Sequence, residues 1–340
     1  MKVTLDDVAQ KAGVSRATVD RVLNERGNVK QSTAERVYRA VFNTNYFIGP
    51  LAERDGNINF KFDFVFPILK TGYFDSFTKE IENSQLAFSR LNSRVQSHMV
   101  DELEPEVLAE KLIEVGADTD GIAFVALDHP IVREAVDTLS RNGVGVVSLV
   151  SDLSRSSRLA YVGLDNRAAG RTAALLMGRF LSDKAGGSIA LFPGRPSYRG
   201  HEEREAGFKS MIRERFPRFR VIDAVSPHFD SDVSFEEARR MIDSQSDLVS
   251  VYNTAGATDG IAKALIDSGK DGDIVFIAHE LSELTRRYLI NNTIDVIINQ
   301  DIRHEVFSAI ELLVRHKKRE SIELSVRQPR VEIYLSENVY

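Results

Sequence analysis

Ser15, Arg16, Ala17, Thr18 and Arg21 fall at the start of one short helical pattern, and as a set they can read DNA. An arginine there can bond the O6 and N7 of guanine in bidentate fashion, and the methyls of Ala17 or Thr18 can meet a thymine methyl. Thr4, Asn24 and Thr33 carry hydroxyl or amide groups able to bind phosphate. A second set is scattered along the chain: Tyr73, Phe74, Arg204, Phe229, Asn253, Glu280 and Gln300. Each follows a β-like run, or lies in the helix start after one, where open α/β sheets bind ligands. Flat aromatic faces and directional charged or amide groups suit a small polar ligand. Plainer roles stay open for some: Phe229 as loop packing, Asn253 as the cap of the next turn.

Enzyme patterns are missing. Gly143-Val144-Gly145-Val146-Val147-Ser148 lacks a third glycine and precedes a strand, so it is no dinucleotide loop. The chain holds no phosphate-binding G-x4-G-K-[ST], no G-x-S-x-G and no H-E-x-x-H. Zero cysteines exclude disulfides, thiolate metal sites and cysteine nucleophiles. The histidines at 98, 129, 201, 228, 279, 304 and 316 lack metal spacing. The expectation is a binding protein with no cofactor, no metal and no catalysis.

The elements that position the first set are local. Thr4 predicts an N-cap, with Asp6 and Asp7 in the first turn. Gly13 breaks that helix, Val14 fills a tight turn and Ser15 caps a second helix over 16–24, with Val19, Val22 and Leu23 at helical spacing. Two short helices joined by a glycine turn are the helix-turn-helix signature. A loop at 28–30 precedes a third helix over 34–43, capped by Ser32 or Thr33, and Asn43 to Pro50 form the exit. Charge follows the division. Residues 1–56 hold 9 Lys+Arg against 7 Asp+Glu, and the remainder 35 against 43, within a chain of net charge −6. A mildly basic head on an acidic body leaves non-specific adhesion to DNA weak and the head to carry affinity. The opening MKVTLDDVAQ has no apolar core of a secretory signal, and no run approaches the ~20 apolar residues of a membrane span. The expected compartment is the cytoplasm.

Beyond residue 58 the pattern changes. Strand-like runs at 62–67, 121–127, 144–150, 188–192, 221–225, 248–253, 273–278 and 295–299 alternate with helical patterns at 74–90, 105–115, 131–142, 167–181, 200–216, 235–244, 259–268, 282–291 and 304–315. Such alternation builds parallel sheets covered by helices. A single βα barrel would end after its eighth unit, whereas this chain ends on a strand-like tail at 331–335. Two open sheets with a cleft between them fit better.

The stretch TLDDVAQKAGVSRATVDRVLN, followed by VKQSTAERVYRAV, resembles the DNA-binding head of the LacI family of transcription regulators, departing from its pattern at Asp20, where serine is usual. The resemblance implies that Arg16, Ala17 and Arg21 read operator bases. The family's linker forms a hinge helix that wedges a leucine into the minor groove; here Ala52 matches but Asp55 stands at the wedge. Either Leu51 takes over in a shifted register or the hinge kinks DNA less. The body resembles the periplasmic-binding-protein fold: Phe64-Val65-Phe66-Pro67 with Gly72-Tyr73-Phe74, Asp165-Asn166-x3-Gly170, Arg204-Glu205-Ala206-Gly207-Phe208, Ile277-Ala278-His279-Glu280 and Ile298-Asn299-Gln300-Asp301 come in the family's order. The implied architecture is a three-helix head over 1–45, a hinge over 46–58 and a two-lobed α/β body over 59–340. Lobe 1 takes about 59–163 and 301–325, and lobe 2 about 164–300 and 326–340. The implied function is regulation of transcription by a sugar, sugar acid or sugar phosphate acting on operator binding, in a homodimer with no membrane partner. The rival readings are a solute-binding protein and a sugar-processing enzyme with a regulatory head.

Overall fold

The computed structural model describes residues 4–23, 29–30, 32–34, 36–37, 40, 60–69, 72–100, 104–225, 229–322 and 329–339. The expected hinge, with Leu51 and Asp55, lies outside the described residues, as do Asn24, the exit at 43–50 and positions 226–228.

Local chemistry builds the head. In α1 (Leu5–Ala12) Thr4 and Asp7 form a reciprocal capping box, and Gly13 ends the helix at φ 64°, a left-handed conformation that an L side chain resists. In α2 (Arg16–Leu23) Ser15 Oγ accepts the Thr18 amide at 3.1 Å. Residues 32–34, 36–37 and 40 are helical. Val8, Ala9, Ala12, Val19, Val22, Val37 and Ala40 form a small separate core.

The body contains two sheets. The first has the order β2-β1-β3-β4-β5, all parallel: β1 (Phe60–Pro67), β2 (Ser93–Val100), β3 (Gly121–Val125), β4 (Gly145–Leu149) and β5 (Ala160–Val162). Around it lie α3 (Tyr73–Asn83), α4 (Gln85–Arg90), α5 (Pro105–Gly116) and α6 (Pro130–Arg141). The second has the order β11-β10-β9-β8-β6-β7, with β6 (Gly187–Phe192), β7 (Phe219–Asp223), β8 (Leu248–Asn253), β9 (Val275–His279), β10 (Val296–Asn299) and β11 (Glu332–Tyr334). Only β11 in it runs antiparallel, against β10. Its helices are α7 (Asn166–Phe180), α8 (Arg199–Arg215), α9 (Ser231–Ser244), α10 (Thr258–Asp267) and α11 (Glu283–Ile290).

Strand alternation sorts the second core. Ile189 and Leu191 face the cluster with Ala173, Met177, Phe208 and Ile212, from α7 and α8. Ala190 and Phe192 face Met241, Ile261, Leu265 and Leu289, from α9 to α11. After β10 the chain leaves the second sheet. The last helix, α12 (Ile302–Lys317), buries Val306, Ala309, Ile310 and Leu313 in the core of the first. The polypeptide therefore passes between lobes at 163–165, again at Gln300–Asp301, and a third time between α12 and β11, which returns to the second sheet.

Two strands escape the sequence pattern. β2 reads SRVQSHMV, and as an edge strand it is only partly covered, so its apolar signal is weak. β5 is a three-residue edge. The helical pattern at 74–90 is two helices, divided at Ser84, whose hydroxyl bonds the Glu80 carboxylate at 2.8 Å.

Candidate functional site

The second set of residues comes together where the two lobes meet. Its centre is Arg204 on α8, 2% exposed. Its position follows from close helix packing. A Cβ on Gly170 of α7 would overlap the Arg204 carbonyl, and one on Gly207 would overlap the Arg167 carbonyl. Both glycines belong to motifs visible in the sequence, and their lack of a side chain lets α7 and α8 touch backbone to backbone. Arg204 Nε then donates to Asn166 Oδ1 at 2.8 Å, and Nη1 donates to the Thr254 carbonyl at 2.9 Å. Asn166 Nδ2 donates in turn to the Tyr161 hydroxyl at 3.1 Å. That hydroxyl lies 3.0 Å from the carbonyl oxygens of both Val150 and Leu164. The guanidinium is thus braced by the connection between the lobes.

Tyr73 and Phe74 come from the first lobe. Phe74 stacks on Phe66 at 5.8 Å and is largely core. The Tyr73 hydroxyl receives the amide N–H of Gln300 from the crossover. Gln300 Oε1 is buried and has no hydrogen-bond partner among the described residues. Glu280 directly follows β9 at φ 72°, its amide donating to the Ile298 carbonyl at 3.0 Å. Burial holds its carboxyl above the usual range, with Arg204 opposing the shift. Phe229 is 8% exposed and packs on Tyr198 at 6.0 Å and on His201 at 5.8 Å. Asn253 is spent inside its own loop. Its Nδ2 donates to the carbonyls of Ala255 and Gly256 and to the Thr258 hydroxyl, and Oδ1 accepts the Ala255 amide.

The lobes are in contact. Tyr198, Phe229 and Ala255, from loops of the second lobe, pack into the core cluster of the first. The Asp128 amide donates to the Ser197 carbonyl at 3.0 Å, and the Gly200 amide to Ser151 Oγ at 3.3 Å. Val150, Phe229, Ala257 and Glu280 all have positive φ; Val150 and Glu280 directly follow β4 and β9, and Phe229 and Ala257 lie in the connections that follow β7 and β8. Such strained turns persist only where surrounding structure holds them, and they gather at ligand sites.

Several residues of this arrangement carry no signal in the sequence reading. Asn166 was visible only as part of a motif, and Tyr161, Tyr198 and Thr254 had none. His279 is buried against the Tyr252 hydroxyl at 2.9 Å, and burial depresses its basicity, helped by Arg204. His201 is pulled down to about 3 by the same two causes. Both rings are therefore neutral near pH 7, so His279 and Glu280 do not form a charged pair. Glu305 is the largest omission. It reads as an ordinary first-turn acid of a helix, yet it is fully buried.

In the head, Ser15, Arg16, Ala17 and Arg21 are exposed, while Thr18 is half-buried. Arg16 Nη1 pairs with Asp6 Oδ2 of α1 at 3.2 Å, with both side chains about two-thirds exposed (64% and 65%). The Thr4 and Ser15 hydroxyls already serve as caps, with Ser15 Oγ 2.9 Å from Thr18 Oγ1. Thr33 donates its amide to the Lys30 carbonyl at 2.9 Å and is half-buried.

A two-lobed α/β body with a polar site at the lobe junction, carrying a helix-turn-helix head, defines a class of ligand-binding protein that also presents a DNA-reading helix. The chain belongs to the periplasmic binding protein domain family, matched over residues 64–321, and its residues 4–47 match the head of the bacterial regulatory proteins of the lacI family. Among relatives, it is 27% identical over 217 residues to catabolite control protein A of Staphylococcus aureus (strain MRSA252), covering 63% of this chain and 62% of that protein. Against catabolite control protein A of Priestia megaterium it is 24% identical, over 96% of both chains. The HTH-type transcriptional regulator MalR of Clostridium butyricum is 23% identical over 79% of each. Two solved structures share the fold of the body. One is an ABC transporter solute-binding protein from Burkholderia graminis in complex with D-arabinose, with TM-score 0.74, 19% identity and coverage of 82% of this chain and 96% of that one. The other is GanP, a glucose-galactose binding protein from Geobacillus stearothermophilus, with TM-score 0.72, 18% identity and coverage of 82% and 99%. These relatives are regulators and sugar-binding proteins, not enzymes. Among the described residues no helix is long and apolar enough to cross a membrane.

Proposed function

We propose that this protein is a sequence-specific transcription regulator of the cytoplasm whose grip on an operator is set by a small sugar or sugar-derived effector between the lobes. The observation that carries the reading is Arg204, a buried guanidinium at the lobe junction of a chain that also carries a helix-turn-helix. A charge braced this well by Asn166 and Thr254 is pre-organised to meet a polar ligand, and Tyr73, Gln300 and Glu280 surround it from both lobes and the crossover. Phe229 supplies an apolar face nearby. The sugars bound by proteins of the same fold support the class of effector.

Two heads in a homodimer would read a pseudo-palindrome, with half-sites about one helical turn apart or a multiple of it. Arg16, Ala17 and Arg21 reach base edges, supported by Ser15 and Thr18, with Thr4, Asn24 and Thr33 toward phosphates and Leu51 as a candidate wedge. An effector that favours one lobe arrangement changes head spacing, a coupling typically of about 1–3 kcal/mol.

The test has two stages. Operators are selected from random DNA by the full chain, and a carbohydrate panel is screened by thermal shift, since a binder raises apparent stability by mass action. Carbohydrates that stabilise the protein should also shift its operator dissociation constant about 5- to 150-fold. Binders that leave operator affinity unchanged would reduce the body to a solute-binding module. Turnover of a bound sugar would move the assignment to an enzyme.

A further inference from the structure

Glu305 has no task in the site described so far. It lies in the first turn of α12, five residues beyond Gln300, and is 0% exposed. Neither of its carboxylate oxygens has a hydrogen-bond partner among the described residues, and Gln300 Oε1 is bare as well. Gln300 reaches Tyr73 through its amide nitrogen, and the charge of Glu305 acts on Tyr73 and is itself acted on by Glu280 and Arg204. These groups share one corner, where the crossover enters the first lobe.

An acid in a helix's first turn is usually explained by the helix dipole. Such acids usually sit at the surface, where water satisfies them, and the dipole alone does not offset the cost of sealing a carboxylate away from water without partners. An apolar side chain would fill the same space without leaving two acceptors unmatched. Among the described residues the corner holds three unmatched acceptors, both oxygens of an ionised Glu305 and the amide oxygen of Gln300, against the single hydroxyl hydrogen of Tyr73. One hydroxyl brings a single donor hydrogen, whereas an ammonium brings three and a positive charge. The charges point the same way. Among the described residues, the carboxyls of Glu280 and Glu305 both interact with the guanidinium of Arg204, and Asp301 adds to the negative side. A neutral ligand leaves this corner in excess negative charge or holds a carboxyl protonated; a cation balances it.

We infer that Glu305 is a further effector-binding residue and that the effector carries a protonated amine, as an amino sugar or amino polyol, seated against Glu305 and Gln300. This rests on the cleft being the effector site and narrows its ligand class. Burial holds the Glu305 carboxyl well above the usual range in the absence of ligand, with Asp301 and Glu280 adding to the effect and Arg204 opposing it. An arriving ammonium would ionise it.

The probes are neutral monosaccharides paired with their amino-deoxy counterparts and the N-acetylated forms, D-glucose, D-glucosamine and N-acetyl-D-glucosamine among them, titrated calorimetrically into the full chain. The expected result is an amine-bearing member that binds at least about tenfold tighter than both its neutral parent and its acetylated form. Glu305→Gln, nearly isosteric, should erase that preference, and Glu305→Asp should restore part of it. A neutral sugar as the tightest binder, no amine binding at millimolar concentration, or a preference that survives Glu305→Gln would each overturn the inference. The two levels fail differently. A neutral sugar lost on Arg204→Ala but indifferent to Glu305→Gln keeps the cleft and removes the amine, whereas a ligand indifferent to both Arg204→Ala and Glu280→Ala removes the cleft reading as well.

Discussion

The head and the body handle polar side chains in opposite ways. In the head, Arg16 and Asp6 stand about two-thirds in water at the end of a short helix, over a core of a few valines and alanines. In the body, Arg204, Gln300 and Glu305 are almost fully enclosed, each tied to or repelled by groups distant in sequence. A base-reading arginine has to be exposed, because its partner arrives as a large rigid duplex and its own water is shed only at contact. A ligand-reading arginine works by being dry already, where each hydrogen bond and each charge counts for more. The same residue type therefore carries very different stakes in the two places, and mutation should show it.

The largest expected effect is in the body. Arg204→Ala or Glu280→Ala leaves a buried charge without its counterpart when ligand binds, a loss of a few kcal/mol, so effector affinity should fall at least about 100-fold by calorimetric titration. Operator affinity without effector should stay near wild type, because the heads do not use these groups. Near-wild-type ligand binding in both variants would end the cleft assignment.

Next in size is the head's arginine. Arg16→Ala should cost about 1–3 kcal/mol of operator affinity and relax preference at one base position per half-site. An unchanged preference profile from random-DNA selection would show that Arg16 does not read bases.

Comparable in size but purely structural, Gly170→Ala should force α7 and α8 apart, with an overpacking cost of about 1–3 kcal/mol. The melting temperature of the full chain should drop by several degrees, and ligand affinity should fall with it, because Asn166 no longer meets Arg204. An unaltered melt would show that the helix contact is looser than described.

A subtler contrast is the pH dependence of the effector-free protein. Glu280 and Glu305 are raised by burial, so their favourable share of stability is complete at low pH and is lost as pH climbs through their folded values. His201, held near 3, and His279 are lowered, so their share is complete above the free-imidazole value of about 6.5 and is lost as pH falls below it. Melting temperature should therefore decline on both sides, and Glu305→Gln should flatten the alkaline side alone. An alkaline decline that persists unchanged in that variant would argue against a buried ionisable Glu305.

Smallest of all should be Asp6→Ala. Exposed ion pairs contribute little, and releasing Arg16 from Asp6 should alter operator affinity by no more than a few-fold, most visibly at low salt. A large change would mean that Asp6 orients Arg16 for its base.

Much of this molecule was already present in local sequence. The helix-turn-helix needs only Thr4, Gly13, Ser15 and a short run of apolar spacing, because caps, a left-handed turn and one helical face act over a few residues. The alternation of strands and helices, the two-sheet body, the helix-start places of Tyr73 and Arg204 and the strand-end place of Glu280 were legible for the same reason, each element carrying its own period. What remained hidden depends on neighbours from elsewhere in the chain. The edge strands β2 and β5 are strands because of their partners, not their own patterns. Asn253 turned inward to bind its own loop once the backbone past β8 curled back on it. Asn166 became the brace of Arg204 only because Gly170 and Gly207 let two helices touch. Glu305 looks hydrated in sequence and is dry in the fold because the crossover at Gln300 carries α12 under the first lobe, and desolvation belongs to a packed environment rather than to a residue and its neighbours along the chain.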